Sequence, residues 1–500
     1  MMKVAIIGYG IDGQASAKYW ATQGDEVTVC DKNTAIEIPD TYQKRVGPDY
    51  MKDLEVFDVI VRTSGIHPKI IAQQNPDHPE IMDRVTTGLN EFLRVCPSRN
   101  IIGITGTKGK GTTSTLIAKM LAANGLQVHL CGNIGIAPLE VLSKVHTSDW
   151  VVLELSSFQL IDLKRSVPTA VCLMVAPDHL DWHDDMDEYV SSKAQLFKLQ
   201  ESSGRAIFNR LSPLSIAIVS HSSASKESYE CPPEKIEPSN REGAYVSQGK
   251  IHYNEIEIMP IAEVVMSGRH NLENICAAIT VVWPIINGNL LDLRKAPPSP
   301  DQLISAGSGL SSLDVAMATS PSVKPLSARA DLAWERTILR KSSLAIIRSV
   351  ISSFTGLKHH LEFINEMGGV KYYDDSYSTM PDATIAALAA IIEPKVLILG
   401  GGSKELDLTN MVKAVSRSNV RHVVLQGSLA QELQKMLEKA GFTNFSHSEN
   451  TMSAIVAEAK KYAEPGDVVL LSPGLPAKGD GYFIDNVDRG NQFKQIVNNL

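Results

Sequence analysis

A lysine flanked by glycines and followed by hydroxyl groups stands in a loop of this chain. The loop contains Gly106, Thr107, Lys108, Gly109, Lys110, Gly111, Thr112 and Thr113. Glycines let backbone N–H groups approach phosphate oxygens, the lysine adds a positive charge, and a hydroxyl just after it can reach magnesium. The strict phosphate-loop pattern is not met, because Ile104 occupies the position of its first glycine. The loop predicts a nucleoside triphosphate site, and the alternative is a tight turn that binds nothing.

The elements on either side of this loop are those that a phosphate site requires. The apolar run 101–104 predicts a buried strand, and residues 114–121 predict a helix. A helix that begins at the loop directs its N-terminal N–H groups and its dipole at an anion.

Glu154 lies inside the apolar run 150–155, which predicts another buried strand. An unpaired buried carboxylate is costly, so Glu154 needs a partner. Magnesium bound to the nucleotide would be such a partner, since it prefers oxygen ligands. A salt bridge is the alternative.

Other polar residues follow later strands and begin later helices. His179 comes just after the apolar run 170–175, at the edge where parallel sheets bind ligands. Lys193 lies on the next helix, where its spacing alone predicts an ordinary surface lysine. Asn271 and Asn274 lie three residues apart and share a helical face. Helix capping is the alternative role for this pair.

A second glycine turn, Gly8-Tyr9-Gly10-Ile11-Asp12-Gly13, follows the first predicted strand. The next strand ends in Asp31, at the distance found in dinucleotide-binding domains. The pattern fits an NAD-binding domain and equally a Rossmann-like domain that binds another diphosphate.

The chain has 500 residues, a net charge of −8 and six scattered cysteines without a C-x-x-C pair. The charge argues against binding nucleic acid, and the cysteines fit a reducing compartment better than a disulfide framework or a zinc site. The first residues run directly into a strand, which leaves no room for a signal peptide, and no apolar run is long enough to span a bilayer. We expect a cytoplasmic monomer that does not bind membranes.

Alternating strands and helices predict three α/β domains, at residues 1–98, 99–355 and 356–500. Residues 284–345 are rich in Pro, Ser and Gly without sustained apolar periodicity, and we interpret most of them as a partly disordered insertion. Residues 212–260 are predicted to be loops with one short hairpin.

Eight short stretches occur in the order found in the Mur ligase family, which the chain resembles. They are residues 105–110, 132–135, 153–160, 178–181, 268–271, 374–376, 400–404 and 471–474. The match covers the whole chain apart from the insertion, and the form of 153–160 and of the N-terminal domain favours members that add D-glutamate. The resemblance implies an α/β protein of three domains: a Rossmann-like N-terminal domain, a central P-loop ATPase-like doubly wound sheet, and a C-terminal Rossmann-like α/β domain.

The same resemblance implies a role for each candidate residue. The uridine diphosphate of a UDP-N-acetylmuramoyl-L-alanine substrate would be bound by Ile11, Asp12, Lys32, Thr63 and Gly65, and the muramoyl-alanine part by Asn133 and Gln159. ATP would be held by Gly106 to Thr113 with Lys110 on the outer phosphates, and by His270, Asn271, Asn274 and Asp375. Two Mg²⁺ ions would be bound by Thr112, Glu154, His179 and a carbamate on Lys193. Lys110, Glu154, His179 and Lys193 are the catalytic candidates.

The amino-acid site departs from the resemblance at two positions. His360, Tyr377, Thr379, Lys404, Ser472 and Phe483 are the residues expected there. Members that add D-glutamate carry a lysine where this chain has Tyr377 and an arginine where it has His360. Loss of both cations removes two charge-assisted contacts to a dicarboxylate, which Lys478 in the loop after Gly474 could replace.

The resemblance implies ATP-dependent amide formation through an acyl phosphate, with D-glutamate as the amino acid. One alternative is a related ligase that adds another amino acid or extends folate, since the segment 110–112 is closer to the folylpolyglutamate form of the loop. A second is an NAD(P)-dependent oxidoreductase using Gly8 to Gly13, and a third is a non-catalytic paralogue. The presence of Lys110, Glu154, His179 and Lys193 argues for retained chemistry.

Overall fold

The chain forms two compact units. The computed structural model describes residues 1–133, 136–180, 182–233, 236–266, 268–287, 342–402, 406–449, 451–477 and 482–500, without the side chain of Asp382. One unit contains Met1–Val264 and Arg269–Ser353, and the other contains Val265–Gly268 and Phe354–Leu500. The first two predicted domains therefore lie together in the first unit. Their boundaries stay a prediction.

The N-terminal sheet has five parallel strands in the order β3-β2-β1-β4-β5. The strands are β1 (Lys3–Ile7), β2 (Glu26–Asp31), β3 (Gln43–Val46), β4 (Val59–Arg62) and β5 (Val85–Thr86). The helices are α1 (Ile11–Thr22), α2 (Pro68–Gln74) and α3 (Gly88–Val95), with 3₁₀ turns at Leu54–Val56 and Pro79–Arg84. Ile7 pairs with Arg62, so the glycine turn after β1 and the loop after β4 begin side by side. This is the predicted Rossmann-like domain.

The central sheet has six parallel strands in the order β11-β10-β9-β6-β8-β7. The strands are β6 (Asn100–Thr105), β7 (Val128–Gly132), β8 (Trp150–Glu154), β9 (Thr169–Cys172), β10 (Arg205–Asn209) and β11 (Ser225–Tyr229). The helices are α4 (Lys110–Ala123), α5 (Pro138–Val141), α6 (Ser157–Leu160), α7 (Met186–Lys198), α8 (Pro213–Ser220) and α9 (Arg269–Ile286), with a 3₁₀ turn at Leu142–Lys144. Ile104 pairs with Glu154, and Thr105 with Cys172. The registers therefore place the phosphate loop between the ends of β8 and β9.

The prediction that residues 212–260 are mostly loops was wrong. They contain α8, the edge strand β11, and an antiparallel sheet of β12 (Ala244–Ser247), β13 (Lys250–Tyr253) and β14 (Ile256–Pro260), followed by a 3₁₀ turn at Ile261–Glu263. Only the hairpin of β12 and β13 was expected. Strand β11 escaped notice because its sequence Ser-Lys-Glu-Ser-Tyr is polar, which a position at the edge of a sheet tolerates.

The predicted insertion begins and ends at two helices. α9 continues through Pro284 to Ile286, and residues 342–353 form α10, close to where a helix was expected to resume the fold. Residues 288–341 lie outside the described part of the chain. Ser343 Oγ donates to the carbonyl oxygen of Ile286 at 3.3 Å, so the last described residues before the segment lie next to the first ones after it.

The second unit is built on a six-stranded sheet in the order β15-β16-β20-β17-β18-β19, with β15 antiparallel to β16 and the other pairs parallel. The strands are β15 (Glu362–Met367), β16 (Val370–Asp374), β17 (Lys395–Gly400), β18 (Val420–Gln426), β19 (Phe445–His447) and β20 (Val468–Leu471). The helices are α11 (Pro381–Ala390), α12 (Thr409–Arg417), α13 (Ala430–Lys439), α14 (Met452–Tyr462) and α15 (Asn486–Asn498). Of the helices that the structure describes, none is both long and apolar enough to cross a membrane.

Candidate active site

The loop between β6 and α4 can be built only with glycine at two positions. Gly106 has φ +145°, and Gly109, which immediately precedes α4, has φ +86°. A Cβ on Gly106 would lie 2.7 Å from the Cβ of Leu173, and one on Gly109 would lie 2.1 Å from Oδ1 of Asn274. The loop therefore packs tightly on its neighbours and leads into the N-terminus of a long helix, which is an anion-binding geometry.

Lys110 lies within this loop rather than extending away from it. Its Nζ donates to the carbonyl oxygens of Gly106 at 3.1 Å and Thr107 at 3.0 Å. Burial lowers the pKa of Lys110, while the charges of Glu154 and Asp178 oppose that shift. The carbonyl groups thus hold a cation in the loop where a phosphate would bind.

Lys193 is buried beside the same loop, although helical spacing alone predicted a surface lysine. Its side chain is 1% exposed, its Nζ donates to the Gly106 carbonyl at 3.0 Å, and it lies 4.4 Å from the centre of the Tyr189 ring. Burial, assisted by the charge of Lys110, lowers the pKa of Lys193 to about 7. A buried amine of this kind is partly neutral at neutral pH, and a neutral amine is a nucleophile.

Glu154 ends β8 and is 6% exposed. Its Oε1 accepts a hydrogen bond from Nδ2 of Asn133 at 3.0 Å, and its carbonyl oxygen accepts one from the Asn133 N–H at 2.8 Å. An amide, rather than the cation of a salt bridge, is thus its hydrogen-bond partner. A buried carboxylate whose charge acts on Lys110 of the phosphate loop fits the oxygen-ligand chemistry of Mg²⁺.

His179 lies in the loop between β9 and α7 with a left-handed backbone, φ +56°. Its ring packs edge-on against Phe158 with centroids 4.8 Å apart, and Nε2 lies 3.7 Å from Oδ2 of Asp178. A non-glycine residue in this conformation is strained and needs support from its surroundings. The contact with Phe158 brings the loop to α6, next to Glu154 in sequence.

Three of the residues expected to contact the adenine nucleotide, His270, Asn271 and Asn274, lie at the start of α9. Asn274 is buried, and its Oδ1 accepts a long hydrogen bond of 3.4 Å from Thr113 Oγ1 in α4. Asn271 is half-buried, and His270 is exposed. The structure therefore brings Asn274 to the phosphate loop, which a capping role alone would not require.

A cleft of about 340 Å³ lies between the N-terminal and central sheets of the first unit. It is lined by Gly10, Ile11, Asp12, Thr63, Ser64, Gly65, Gly132, Asn133 and Gln159. Both glycine-containing turns of the N-terminal sheet thus face residues of the central sheet. Lys32, which was expected in the same pocket, is exposed and is not among the lining residues.

Two acids in the N-terminal sheet have different surroundings. Burial raises the pKa of Asp12, although a hydrogen bond from Ser64 Oγ at 3.2 Å opposes the shift. Asp31 accepts backbone N–H groups on both oxygens, from Tyr9 and Asn33, each at 2.8 Å. In an NAD-binding domain this carboxylate would bind ribose hydroxyls. Here it shapes the glycine turn instead, which disfavours the oxidoreductase alternative.

Gln159 lines the cleft and also stabilises α6. Its Oε1 accepts hydrogen bonds from the Ser156 N–H at 3.0 Å and the Ser156 hydroxyl at 3.1 Å, and the Ser156 hydroxyl in turn accepts the Gln159 N–H. This capping box orients a helix of only four residues. The same side chain therefore supports the local fold and faces the cleft.

In the second unit, Asp375 is buried in a group of hydroxyls. Its Oδ2 accepts from Ser378 and, at 2.7 Å, from Ser472, while Oδ1 accepts the Leu361 N–H at 3.0 Å. Burial raises the pKa of Asp375 to about 7. Oγ of Ser472 also lies 3.0 Å from Oγ1 of Thr384. Phe483 is 6% exposed within the hydrophobic core of this unit.

His360 and Tyr377, the two positions that depart from the resemblance, are in contact. Their rings stack with centroids 4.8 Å apart and an angle of 13° between the planes, and Tyr377 is 41% exposed. Thr379 is half-buried nearby in sequence. Lys404 and Lys478 lie outside the described residues.

Comparison with known proteins identifies the family. A sequence model of the Mur ligase middle domain matches residues 104–282, and one of the Mur ligase, glutamate ligase domain matches residues 359–475. Together they match more than half of the chain. The chain belongs to the Mur ligase family. It is an ATP-dependent ligase that joins an acid to an amino acid. Enzymes of this family use Mg²⁺ as a cofactor.

Full-length relatives carry the name UDP-N-acetylmuramoylalanine–D-glutamate ligase. Those of Clostridium tetani and Clostridium novyi are each 29% identical to this chain, with all of this chain and 97% of the relative covered. The relative from Symbiobacterium thermophilum is also 29% identical, with 98% of it covered.

Solved structures show the same fold. The UDP-N-acetylmuramate–alanine ligase MurC of Thermotoga maritima superposes with a TM-score of 0.53 at 14% identity, with all of both chains covered. The MurF ligase of Thermotoga maritima in complex with ADP gives 0.53 at 15% identity, with 99% of this chain and 94% of that chain covered. The predicted three-domain α/β fold is confirmed.

Sequence reasoning missed two site residues of this Mur ligase, Arg62 and Ser64. Ser64 lines the cleft, and Arg62 lines a small cavity next to it. Arg62 ends the apolar strand β4 and is 1% exposed. A charged residue in an apolar strand was the signal that selected Glu154, so the same argument would have found Arg62.

Proposed function

We propose that this Mur ligase adds D-glutamate to UDP-N-acetylmuramoyl-L-alanine through an acyl phosphate, in cytoplasmic peptidoglycan precursor synthesis. The observation that carries the proposal is the position of Asn133. This residue lines the cleft next to the N-terminal glycine turn and also donates to Glu154, whose charge acts on Lys110. A uridine diphosphate substrate bound in the cleft would thus have its acyl end directed toward the phosphate loop.

The reaction requires activation because a carboxylate does not react with an amine at neutral pH. Transfer of the γ-phosphoryl group of ATP to the carboxylate releases ADP and gives an acyl phosphate. The amine of the amino acid then attacks the acyl carbon, a C–N bond forms, and phosphate leaves as the amine loses its proton. Phosphoryl transfer depends mainly on position and charge neutralisation, which Lys110 and the N-terminus of α4 can supply.

Thr112, Glu154 and His179 are the residues that would hold Mg²⁺. The fit rests on Glu154, a buried carboxylate at the end of β8 whose Oε1 is oriented by Asn133. Bound Mg²⁺ would neutralise charge on the phosphate oxygens. The number of two ions is proposed from the resemblance to the family.

A carbamate on Lys193 is part of the proposal. The ammonium group first loses a proton, and the neutral amine then attacks CO₂, a C–N bond forms and a second proton is released, so a cation becomes an anion. Lys193 is buried and shares an acceptor with Lys110, a position in which an anion is favoured over a second cation. The resulting carboxylate would add a metal-directed oxygen ligand.

A different amino acid is the second candidate, and the stack of His360 on Tyr377 favours it. Members that add D-glutamate carry cations at these positions, whereas here two aromatic rings occupy them.

The remaining residues proposed for the amino acid are Thr379, Lys404, Ser472 and Phe483. Asp375 and His270 are proposed to contact ATP. The monomeric state likewise stays a prediction.

Phosphate release from ATP tests the proposal. The enzyme is incubated with UDP-N-acetylmuramoyl-L-alanine and one amino acid at a time, including D- and L-glutamate. Release that depends on D-glutamate supports the full proposal. Release with another amino acid corrects the substrate and retains the chemistry. Absence of release with every amino acid contradicts the proposed acceptor.

A further inference from the structure

Buried Arg62 forms a two-pronged ion pair with the half-buried Asp162, between the N-terminal and central sheets of the first unit. Its Nε donates to Oδ2 of Asp162 at 2.6 Å, and its Nη2 donates to Oδ1 at 2.5 Å. Arg62 ends β4, whereas Asp162 follows α6 of the central sheet. The fork of the guanidinium thus fixes both the distance and the relative orientation of the two elements.

The remaining donors of Arg62 bind the backbone of both walls of the cleft. Nη1 donates to the carbonyl oxygens of Thr63 at 3.3 Å and Ile66 at 3.1 Å, which belong to the N-terminal wall. Nη2 also donates to the Phe158 carbonyl at 2.9 Å, one residue before Gln159 of the central wall. One side chain therefore holds the loop 63–66 and helix α6 at once.

We propose that Arg62 and Asp162 are a positioning pair that sets the spacing between the two walls of the cleft, and so the binding of the nucleotide-sugar substrate. This inference rests on the proposed function, in which a UDP-linked acceptor occupies the cleft. Arg62 acts through Thr63 and Gln159 and lies behind the lining of the cleft. Its removal weakens binding of the acceptor and leaves binding of ATP unchanged.

A purely stabilising role would not need this pair. Replacing a buried ion pair by well-packed apolar residues is often neutral or stabilising. The presence of this pair therefore favours a role in fixing the relative position of the two walls. The two sheets are also joined without Arg62, because Asn90 Nδ2 donates to the Asp162 carbonyl at 3.0 Å and Asn90 Oδ1 accepts the Lys164 N–H at 2.8 Å. Loss of Arg62 is therefore expected to loosen the cleft while the sheets remain in contact.

Arg205 provides a matched control within the same unit. It forms a two-pronged pair with Glu227 at 2.7 and 2.8 Å and donates to the carbonyl oxygens of Thr280 and Val281. It is also buried, with 8% exposure. Arg205 thus has the same kind of partners as Arg62 but does not line the cleft, so its removal tests loss of stability alone.

The experiment compares R62A, R62K, D162N and R205A in the full chain. For each variant, the KM for UDP-N-acetylmuramoyl-L-alanine, the KM for ATP and kcat are measured. R62A and D162N are expected to raise the KM for the acceptor about tenfold or more, since a displacement of about 1 Å at a site can cost up to about a hundredfold. R62K retains the charge but not the fork and is expected to fall between R62A and the unchanged enzyme. An unchanged acceptor KM in R62A, or an equal rise in R205A, would overturn the inference.

Hydrogen exchange separates this inference from the proposed function. If the unchanged enzyme releases no phosphate with this acceptor, the proposed function fails and the kinetic comparison is replaced by exchange rates. Faster exchange in peptides covering residues 63–66 and 156–160 of R62A, with the phosphate loop unchanged, supports the positioning pair. Equal exchange in R62A and the unchanged enzyme overturns it.

Discussion

The side-chain amines of Lys110 and Lys193 donate to one acceptor, the carbonyl oxygen of Gly106, at 3.1 and 3.0 Å. Two ammonium groups on one oxygen repel each other, and burial adds to the cost of keeping both charged. Burial lowers the pKa of both amines, and the charge of Lys110 lowers the pKa of Lys193 further. The arrangement is relieved when Lys193 loses its charge or becomes an anion.

Activity is expected to depend on dissolved CO₂. The neutral fraction of Lys193 grows as pH rises through about 7, so carbamate formation is expected to be greater at pH 8 than at pH 6. Removing CO₂ from the buffer should lower activity, and added bicarbonate should restore it. With ¹³C-bicarbonate, NMR should show a carbamate signal that K193A lacks. A signal that persists in K193A would assign the carbamate to another amine.

Replacement of Lys110 is expected to lower the rate of phosphate release severely. K110A removes the charge that the loop holds beside the transferred phosphoryl group, and losing one such group typically lowers kcat by about 10²–10³. K119A is the control, because Lys119 is an exposed lysine on the same helix α4. Rates are measured as phosphate release from ATP. Turnover by K110A at the unchanged rate would contradict the assignment of the phosphate loop.

D375N is expected to stabilise the folded protein above pH 7. The folded state raises the pKa of Asp375 to about 7, so it binds an extra proton between the unfolded pKa near 3.8 and pH 7. The stability contributed by this group is therefore present below pH 3.8 and lost as pH rises to 7. Above pH 7, D375N should raise the free energy of unfolding by about 1–4 kcal/mol. Urea denaturation between pH 5 and 8 measures this, and equal pH dependence in both proteins would contradict it.

The pair His360 and Tyr377 is expected to set the affinity for the amino acid. If D-glutamate is the substrate, the double variant H360R/Y377K should lower its KM by about tenfold or more, because hydrogen bonds to charged groups contribute about 1.5–3 kcal/mol each. Y377F retains the stacked ring and is the control for the hydroxyl. An unchanged KM for D-glutamate in the double variant would show that these side chains do not contact it.

The sequence predicts the strands that are continuously apolar and the turns that follow them. Runs such as Val396 to Leu399 identified a strand, because a strand buried on both faces cannot be polar. Strands with polar sequences, such as β3 and β11, lie at sheet edges and were missed. Their position depends on pairing with a distant segment, which local pattern does not reveal.

In the candidate site, too, features set by local sequence could be predicted, and features set by contacts with distant segments could not. Gly109 and Glu154 were identified from local pattern, because backbone geometry and a charge in an apolar strand are visible in sequence. The role of Lys193 was implied only by the resemblance, and its burial was not predicted, because it arises from packing of α7 against the phosphate loop. The pairing of Arg62 with Asp162 joins residues a hundred positions apart, so neither could be matched to its partner from sequence.

The hydrogen bond between Ser343 and Ile286 has a consequence for the evolution of the chain. Because Ile286 and Ser343, which flank residues 288–341, are in contact, the number of residues between them can change without altering the separation that the fold must bridge. Asn274, which contacts the phosphate loop, precedes Ile286 on α9 by about 18 Å, at 1.5 Å per residue. The place where the segment leaves the helix is therefore remote from the phosphate loop. A change in the length of this segment is therefore expected to leave the phosphate loop in place.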